Sequence, residues 1–237
     1  MGAEEQIVLS PTAIYWIIFI GIAIASFAVS ASLESKFKQY SKKPLNMTGR
    51  EVALKMLHDN DIYDVEVTCI KGQLTDHYNP ATKTVNLSES VYNNANVAAA
   101  AVAAHECGHA VQHALAYGPL KMRSALVPVV SFSSNWVTWI ILGGLLLLGT
   151  KAGGIMLLVG ICLYAMIALF SLITLPVEVN ASQRAVKWLQ EAGITDRETT
   201  EMASDALHSA AYTYVVAALS ALATLLYYIL IFFGERK

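Results

Sequence analysis

The sequence predicts a mainly α-helical integral membrane protein: four transmembrane helices, with a small α+β polar domain carrying an H-E-x-x-H helix. Three observations predict it. Apolar residues fill 55% of the 237 positions and charged residues only 14%, where a soluble domain carries about 25% charge. The charges cluster, so residues 12–33, 124–150, 152–177 and 209–234 contain none, and each stretch exceeds the roughly 20 residues a helix needs to cross a hydrocarbon core. The polar remainder holds a β-patterned run followed by His105-Glu106-Cys107-Gly108-His109 in an alanine-rich segment.

The first apolar stretch, 12–33, reads as a membrane anchor rather than a cleaved leader. Glu4 and Glu5 precede it without Lys or Arg, and it outruns the apolar core of a signal peptide, although Val29-Ser30-Ala31 resembles a small-residue cleavage site. The polar segment 34–123 follows. Its basic beginning, 34–43, reads as a topology signal, with contact to anionic headgroups as the alternative. Thr48-Gly49-Arg50-Glu51 forms a capping box that opens a helix with Val52, Met56 and Leu57 on one face. Asp59-Asn60-Asp61 ends it. Val65–Ile70 alternates and reads as a strand, Lys71-Gly72 as a turn, Leu74–Tyr78 as a second strand, Asn79–Thr82 as a turn and Lys83–Leu87 as a third strand. An extended peptide could add to an exposed edge here, beside Lys83–Leu87. The motif helix runs from Asn96 to Tyr117 and Pro119 stops it. Transmembrane helices follow at 124–150 and 152–177. The second polar segment, 178–208, begins with a helix over Val177–Leu189 in which Glu178 sits at the membrane boundary. Gly193 is its C-cap, and Thr195-Asp196-Arg197-Glu198 caps a helix leading to the last span, 209–234.

Lys and Arg set the orientation. Lys36, Lys38, Lys42, Lys43, Arg50, Lys121, Arg123, Arg184 and Lys187 flank the two polar segments, against Lys151, Arg236 and Lys237 on the other side. Both polar segments therefore face the cytoplasm. A net charge of −2 gives no reason to expect a nucleic-acid partner. Cys69, Cys107 and Cys162 are too few and too scattered for a disulfide framework and fit a reducing compartment.

Histidines at i and i+4 stand on one helix face, roughly 6 Å apart along the axis, so both imidazoles reach one zinc ion, with Glu106 beside the water it activates. Catalytic zinc takes three protein ligands and keeps one position open. For the third ligand the candidates are His58, His77, His113, His208 and the acidic residues of 178–208. Among these Glu178 stands out, because a carboxylate at the head of that helix can reach a zinc held on a neighbour; its alternative reading is a boundary charge. His113 lies one turn beyond His109, and one straight helix spreads three such side chains over roughly 12 Å, so it reads as a supporting or packing residue. His58 and His77 read as surface residues. Cys107 falls about 200° round the helix from His105 and reads as a buried thiol. Gly108 costs about 1 kcal/mol in a helix, and its missing side chain lets another backbone approach the metal.

The chain resembles the YugP-type membrane zinc metallopeptidases of bacteria, related in plan to HtpX and the CAAX prenyl proteases. The stretches that carry the resemblance are His77-Tyr78-Asn79-Pro80, Leu87-Ser88-Glu89-Ser90-Val91-Tyr92, Ala103–Ala110 around the motif, and Leu175-Pro176-Val177-Glu178-Val179-Asn180-Ala181-Ser182. It implies a zincin-like domain with His105, His109 and Glu178 as zinc ligands and Glu106 as the catalytic carboxylate. Two positions depart from the pattern. HtpX-like enzymes have an Asp where this chain has Ser182, and YugP-like ones have an Asp where it has Asn180. A neutral amide at 180 accepts a hydrogen bond from a ligand imidazole but raises its basicity less than a carboxylate, so zinc binds less tightly and the chemistry is kept.

The expected activity is that of a bacterial plasma-membrane endopeptidase, with Glu106 as general base and acid and an extended stretch of a membrane-associated or misfolded protein as substrate. Quality control follows from the HtpX-like resemblance, and a regulatory membrane partner would restrain such an enzyme. Tyr214 is a candidate oxyanion donor, read alternatively as an interfacial anchor, and Arg184 is another. The rival is a non-proteolytic scaffold whose zinc has a fourth protein ligand, Cys107 or His113. A transporter fits less well, because the spans lack ionisable residues.

Overall fold

The computed structural model describes residues 11–234; Glu4, Glu5 and the Glu235-Arg236-Lys237 tail, which enter the topology argument, lie outside them. The elements in chain order are helix α1 (Pro11–Tyr40), α2 (Gly49–Asp59), strands β1 (Glu66–Ile70), β2 (His77–Asn79) and β3 (Thr84–Ser88), and helices α3 (Glu89–Tyr92), α4 (Val97–Ala114), α5 (Gly118–Leu146), α6 (Lys151–Glu191) and α7 (Arg197–Gly234). Four of them, α1, α5, α6 and α7, are long and apolar enough to cross a membrane.

The polar unit comprises residues 29–125 and 173–215. Its core begins at α2, where the capping box forms in full: the Thr48 side chain accepts from Glu51 N–H and the Glu51 carboxylate accepts from Thr48 N–H. The predicted face, Val52, Met56 and Leu57, is buried. It packs with the alanines of α4 and with Val85 and Leu87 of β3. Asn96 caps α4 by accepting from Ala99 N–H at 2.9 Å. An alanine-rich surface lets neighbours come close, and Ala98–Ala101, Ala103 and Ala104 are all buried.

The sheet order differs from a simple meander. β3 is central, parallel to β1 and antiparallel to β2. The cause lies in the connections. Asn79 Oδ1 accepts from Ala81 N–H at 2.9 Å, a side-chain-closed turn that clamps β2 to β3. The β1–β2 connection is instead tied to the end of β3, where Asp76 accepts from Ser88 N–H at 2.7 Å. The expectation that a peptide adds beside Lys83–Leu87 is therefore corrected: both edges of β3 are already paired, and the outer edges belong to β1 and β2.

Two helix boundaries also differ from expectation. Pro119 opens α5 instead of merely stopping α4, which ends at Ala114. Pro is tolerated in a first turn, where the N–H has no helical partner. Glu178 does not open a helix. It sits inside the 41-residue α6, two residues after Pro176. Residues 178–208 and 209–234 likewise share the continuous α7 from Arg197 onward. Hydropathy changes at a membrane boundary, but backbone hydrogen bonding need not, so the chain keeps its helices across the change in composition.

The apolar unit takes in 126–172, 216–234 and the described part of the first span up to Ala28. Val137, Ile141, Leu157, Ile161 and Phe232 form its core. Gly144 brings α5 against α6, since a Cβ there would stand 2.9 Å from Leu157 N, the small-residue contact favoured between membrane helices. Trp136, Trp139, Phe132 and Leu146 point outward and exposed, as lipid-facing side chains do.

Candidate metal centre

α4 presents Ala98, Val102, His105, Glu106 and His109 along one face, and α6 brings Glu178 to the same place. The ligand atoms of His105, His109 and Glu178 all lie within 4.8 Å of one another, the group of converging metal-ligand side chains among the described residues. Glu178 Oε2 is 3.2 Å from His105 Nε2 and 3.5 Å from His109 Nε2. The Glu178 side chain is only 3% exposed. A carboxylate that deeply buried needs cations or strong donors. Burial disfavours a charged His109, yet the hydrogen bond to Glu178, with the charges of Glu106 and Glu178, raises its pKa nevertheless. Two imidazoles and one carboxylate oxygen, with a cavity in front of them, fit zinc with a position left open.

The neighbours hold the set in place. Arg123 donates to Glu178 Oε1 at 3.0 Å, so that oxygen is engaged and Oε2 faces the histidines. Ser182 Oγ is 3.1 Å from His105 Nδ1. Gln112 Oε1 is 3.1 Å from His109 Nδ1, while its Nε2 donates to Val177 O at 2.8 Å and Asn180 Oδ1 at 3.0 Å. The expectation for Asn180 is corrected here. Its amide does not meet an imidazole, because Gln112 fills that position and Asn180 accepts from Gln112 and from Arg184 Nε. Arg184, bound in this way, is not part of the cavity wall and is not an oxyanion donor candidate.

Glu106 is 8% exposed. Its Oε2 accepts the backbone N–H of Tyr78 at 3.0 Å. Tyr78 is fixed from its other end by a 2.9 Å bond between its hydroxyl and His113 Nδ1, so His113 supports the strand that holds Glu106. Tyr214 lines the cavity with His105, Glu106 and Glu178, and its electrostatic neighbours are Glu178, Glu106 and Arg123.

The remaining candidates stand elsewhere. His58 packs on Tyr63, His77 bonds Thr75 O and His208 bonds Ser204. Cys107 is buried, donates to Ala53 O at 3.5 Å and has its thiol pKa raised by that burial. Neither Cys107 nor His113 offers the fourth ligand that a structural zinc would need. Gly108 behaves as expected: a Cβ there would lie 2.7 Å from Ala181 O, so only glycine lets α4 and α6 approach this closely beside the ligands. Gln112, Arg123 and Tyr78 N–H are missed by sequence reasoning. Gln112 carries a local signal, three residues from His109 on the same face. Arg123 reads in the sequence only as a topology charge.

The family described as "Putative neutral zinc metallopeptidase" matches residues 15–233. A relative from Bacillus subtilis (strain 168), "Putative membrane protease YugP", is 40% identical over 225 residues, covering 92% of this chain and 98% of the relative. No solved structure matches the chain.

Proposed function

The chain belongs to this neutral zinc metallopeptidase family, and from that membership we propose that it is a membrane-embedded endopeptidase that hydrolyses peptide bonds of membrane-associated or misfolded proteins. The observation that carries the reading is the convergence of His105, His109 and Glu178 at a cavity that Glu106 also lines. His105, His109 and Glu178 are the residues that would hold zinc. Bound zinc supplies Lewis acidity, acidifying water and polarising a carbonyl.

The chain's own groups do the rest. Tyr78 N–H holds one Glu106 oxygen and leaves the other free to take a proton from the attacking water. Glu106 then returns that proton to the leaving amine. Arg123 holds Glu178 Oε1, so that Oε2 faces the two imidazoles and would be the oxygen offered to the metal. Ser182 and Gln112 accept from the Nδ1–H of the two imidazoles and fix their tautomers. The Tyr214 hydroxyl donates to the oxyanion. The substrate lies extended along the outer edge at β2, since β3 has none. The excess of Lys and Arg beside the polar segments supports a site on the cytoplasmic side, and the proposed location is the bacterial plasma membrane.

The test is digestion of an unfolded protein by purified, zinc-loaded protein in detergent, with Glu106→Gln in parallel. Wild type is expected to cut and the variant to lose at least about 100-fold, the lower end for general-base catalysis, while both hold one zinc. Equal cutting by both would remove Glu106 from the mechanism.

A further inference from the structure

The cavity in front of His105 and Glu106 has a volume of about 150 Å³. Its polar wall is the site itself. Beside it the lining is mostly apolar, Leu33 and Phe37 of α1, Ala98 and Val102 of α4, and Ala206 and Ala210 of α7, with Asp76, whose carboxylate is held by Ser88, as the polar exception. Ala98 and Val102 precede His105 and Glu106 on one face of α4, so the apolar floor runs straight up to the proposed reacting groups. Ala206, Ala210 and Tyr214 stand at successive i+4 positions of α7. On that face small side chains leave the room that anything larger would fill.

We propose that this cavity is a subsite for one medium-sized apolar side chain of the substrate, at a residue adjoining the scissile bond, and that Ala206 and Ala210 set the size it admits. The inference rests on the peptidase reading of the same site. The whole cavity, the part in front of His105, Glu106 and Glu178 included, is about 150 Å³, the volume of a void that holds one benzene molecule, so its apolar part admits a side chain no larger than that of Leu, Ile, Met or Phe and excludes that of Trp. Two further features agree. The apolar wall is preformed, because Lys36 Nζ and Tyr40 Oη, one turn from Leu33 and Phe37, both bind Asp205 of α7, at 2.7 and 2.6 Å. Leu74, which also lines the cavity, is 60% exposed and holds a left-handed φ of 56°. A non-glycine residue adopts that conformation only when its surroundings impose it. Here the tie between Asp76 and Ser88 ends the connection two residues later, and an apolar side chain is left at the rim.

The experiment is cut-site profiling. A denatured test protein is digested by the zinc-loaded full-length protein in detergent, and the new termini are identified by mass spectrometry. Wild type, Ala206→Leu, Ala210→Phe and Val102→Ala are compared, each with its zinc content and melting temperature measured. Wild type is expected to enrich Leu, Ile, Met and Phe over Ala and Gly at one position flanking the cut by at least about tenfold, the lower end of discrimination per methylene in an apolar pocket. Ala206→Leu and Ala210→Phe should move that preference to Ala, Ser and Gly. Val102→Ala should move it to larger aromatics, and decides the matter should the filled variants fail to fold. Cutting by wild type without apolar enrichment overturns the subsite alone. So does an enrichment that every folded variant leaves unchanged. Zinc-loaded wild type that cuts nothing overturns the peptidase reading, and the subsite with it.

Discussion

Gln112 makes three hydrogen bonds from a fully buried amide, to His109 Nδ1, Val177 O and Asn180 Oδ1. It orients one ligand and at the same time anchors the stretch of α6 that carries another. Gln112→Ala would leave a buried carbonyl and an imidazole N–H unpaired, so zinc binding should weaken about 10–100-fold, as losses of outer-shell partners generally do; chelator competition with the purified protein measures it. Wild-type affinity retained in Gln112→Ala would mean that the packing of α4 alone fixes His109. At this scale the sequence reads well where the chemistry is local. His105, Glu106 and His109 are legible because one helical turn brings them together. Arg123 is not, because its partner Glu178 is distant in sequence and a lone Arg near a span has a sufficient explanation as a topology charge. Asn180 is misread because Gln112, on the same helix as His109, takes the imidazole and leaves Asn180 to accept from Gln112 and Arg184.

Between elements, the contact that matters most is α4 against α6 at Gly108. Its missing Cβ faces backbone, Ala181 O, which cannot rotate away as a side chain would. Gly108→Ala gains about 1 kcal/mol of helix propensity but must push α6 outward, and overpacking of this kind costs about 1–3 kcal/mol. The variant should melt lower in detergent and lose bound zinc, since Glu178 and Ser182 move with α6. An unchanged melting point with zinc retained would show that the helices yield without cost. The elements themselves are largely legible from periodicity and caps: the capping box at Thr48, the strands near 66–70 and 84–88, and Asn96 at the head of α4. Their order in the sheet is not, because the parallel pairing of β1 with β3 joins strands that are not neighbours in the sequence, and no local pattern encodes it. Nor is the continuity of α6 through Pro176, where composition changes and the backbone does not.

For the whole molecule, four apolar helices and the match to a membrane protease relative make the side on which the site opens the next question. Cys69 is exposed on β1, while Cys107 is buried and Cys162 lies in the apolar part of α6. A membrane-impermeant maleimide should therefore leave Cys69 unlabelled in intact cells and label it after permeabilisation, with Cys69→Ser as the control. Labelling of intact cells would place the polar unit outside and reverse the orientation read from Lys and Arg.

The third proposed ligand also carries a consequence for biosynthesis. Glu178 follows His105 by 73 residues, and at about 5–20 residues per second a ribosome takes roughly 4–15 s to cover that interval. During it the nascent chain displays both histidines and Glu106 but no complete cage. Two apolar helices must also be made in between, α5 and most of α6. On the proposed ligand set, a newly started molecule would be inert while its own unfolded segments, and those of neighbouring nascent chains, are most exposed. The proposed activity would arrive only when the late part of the chain has folded against the early part.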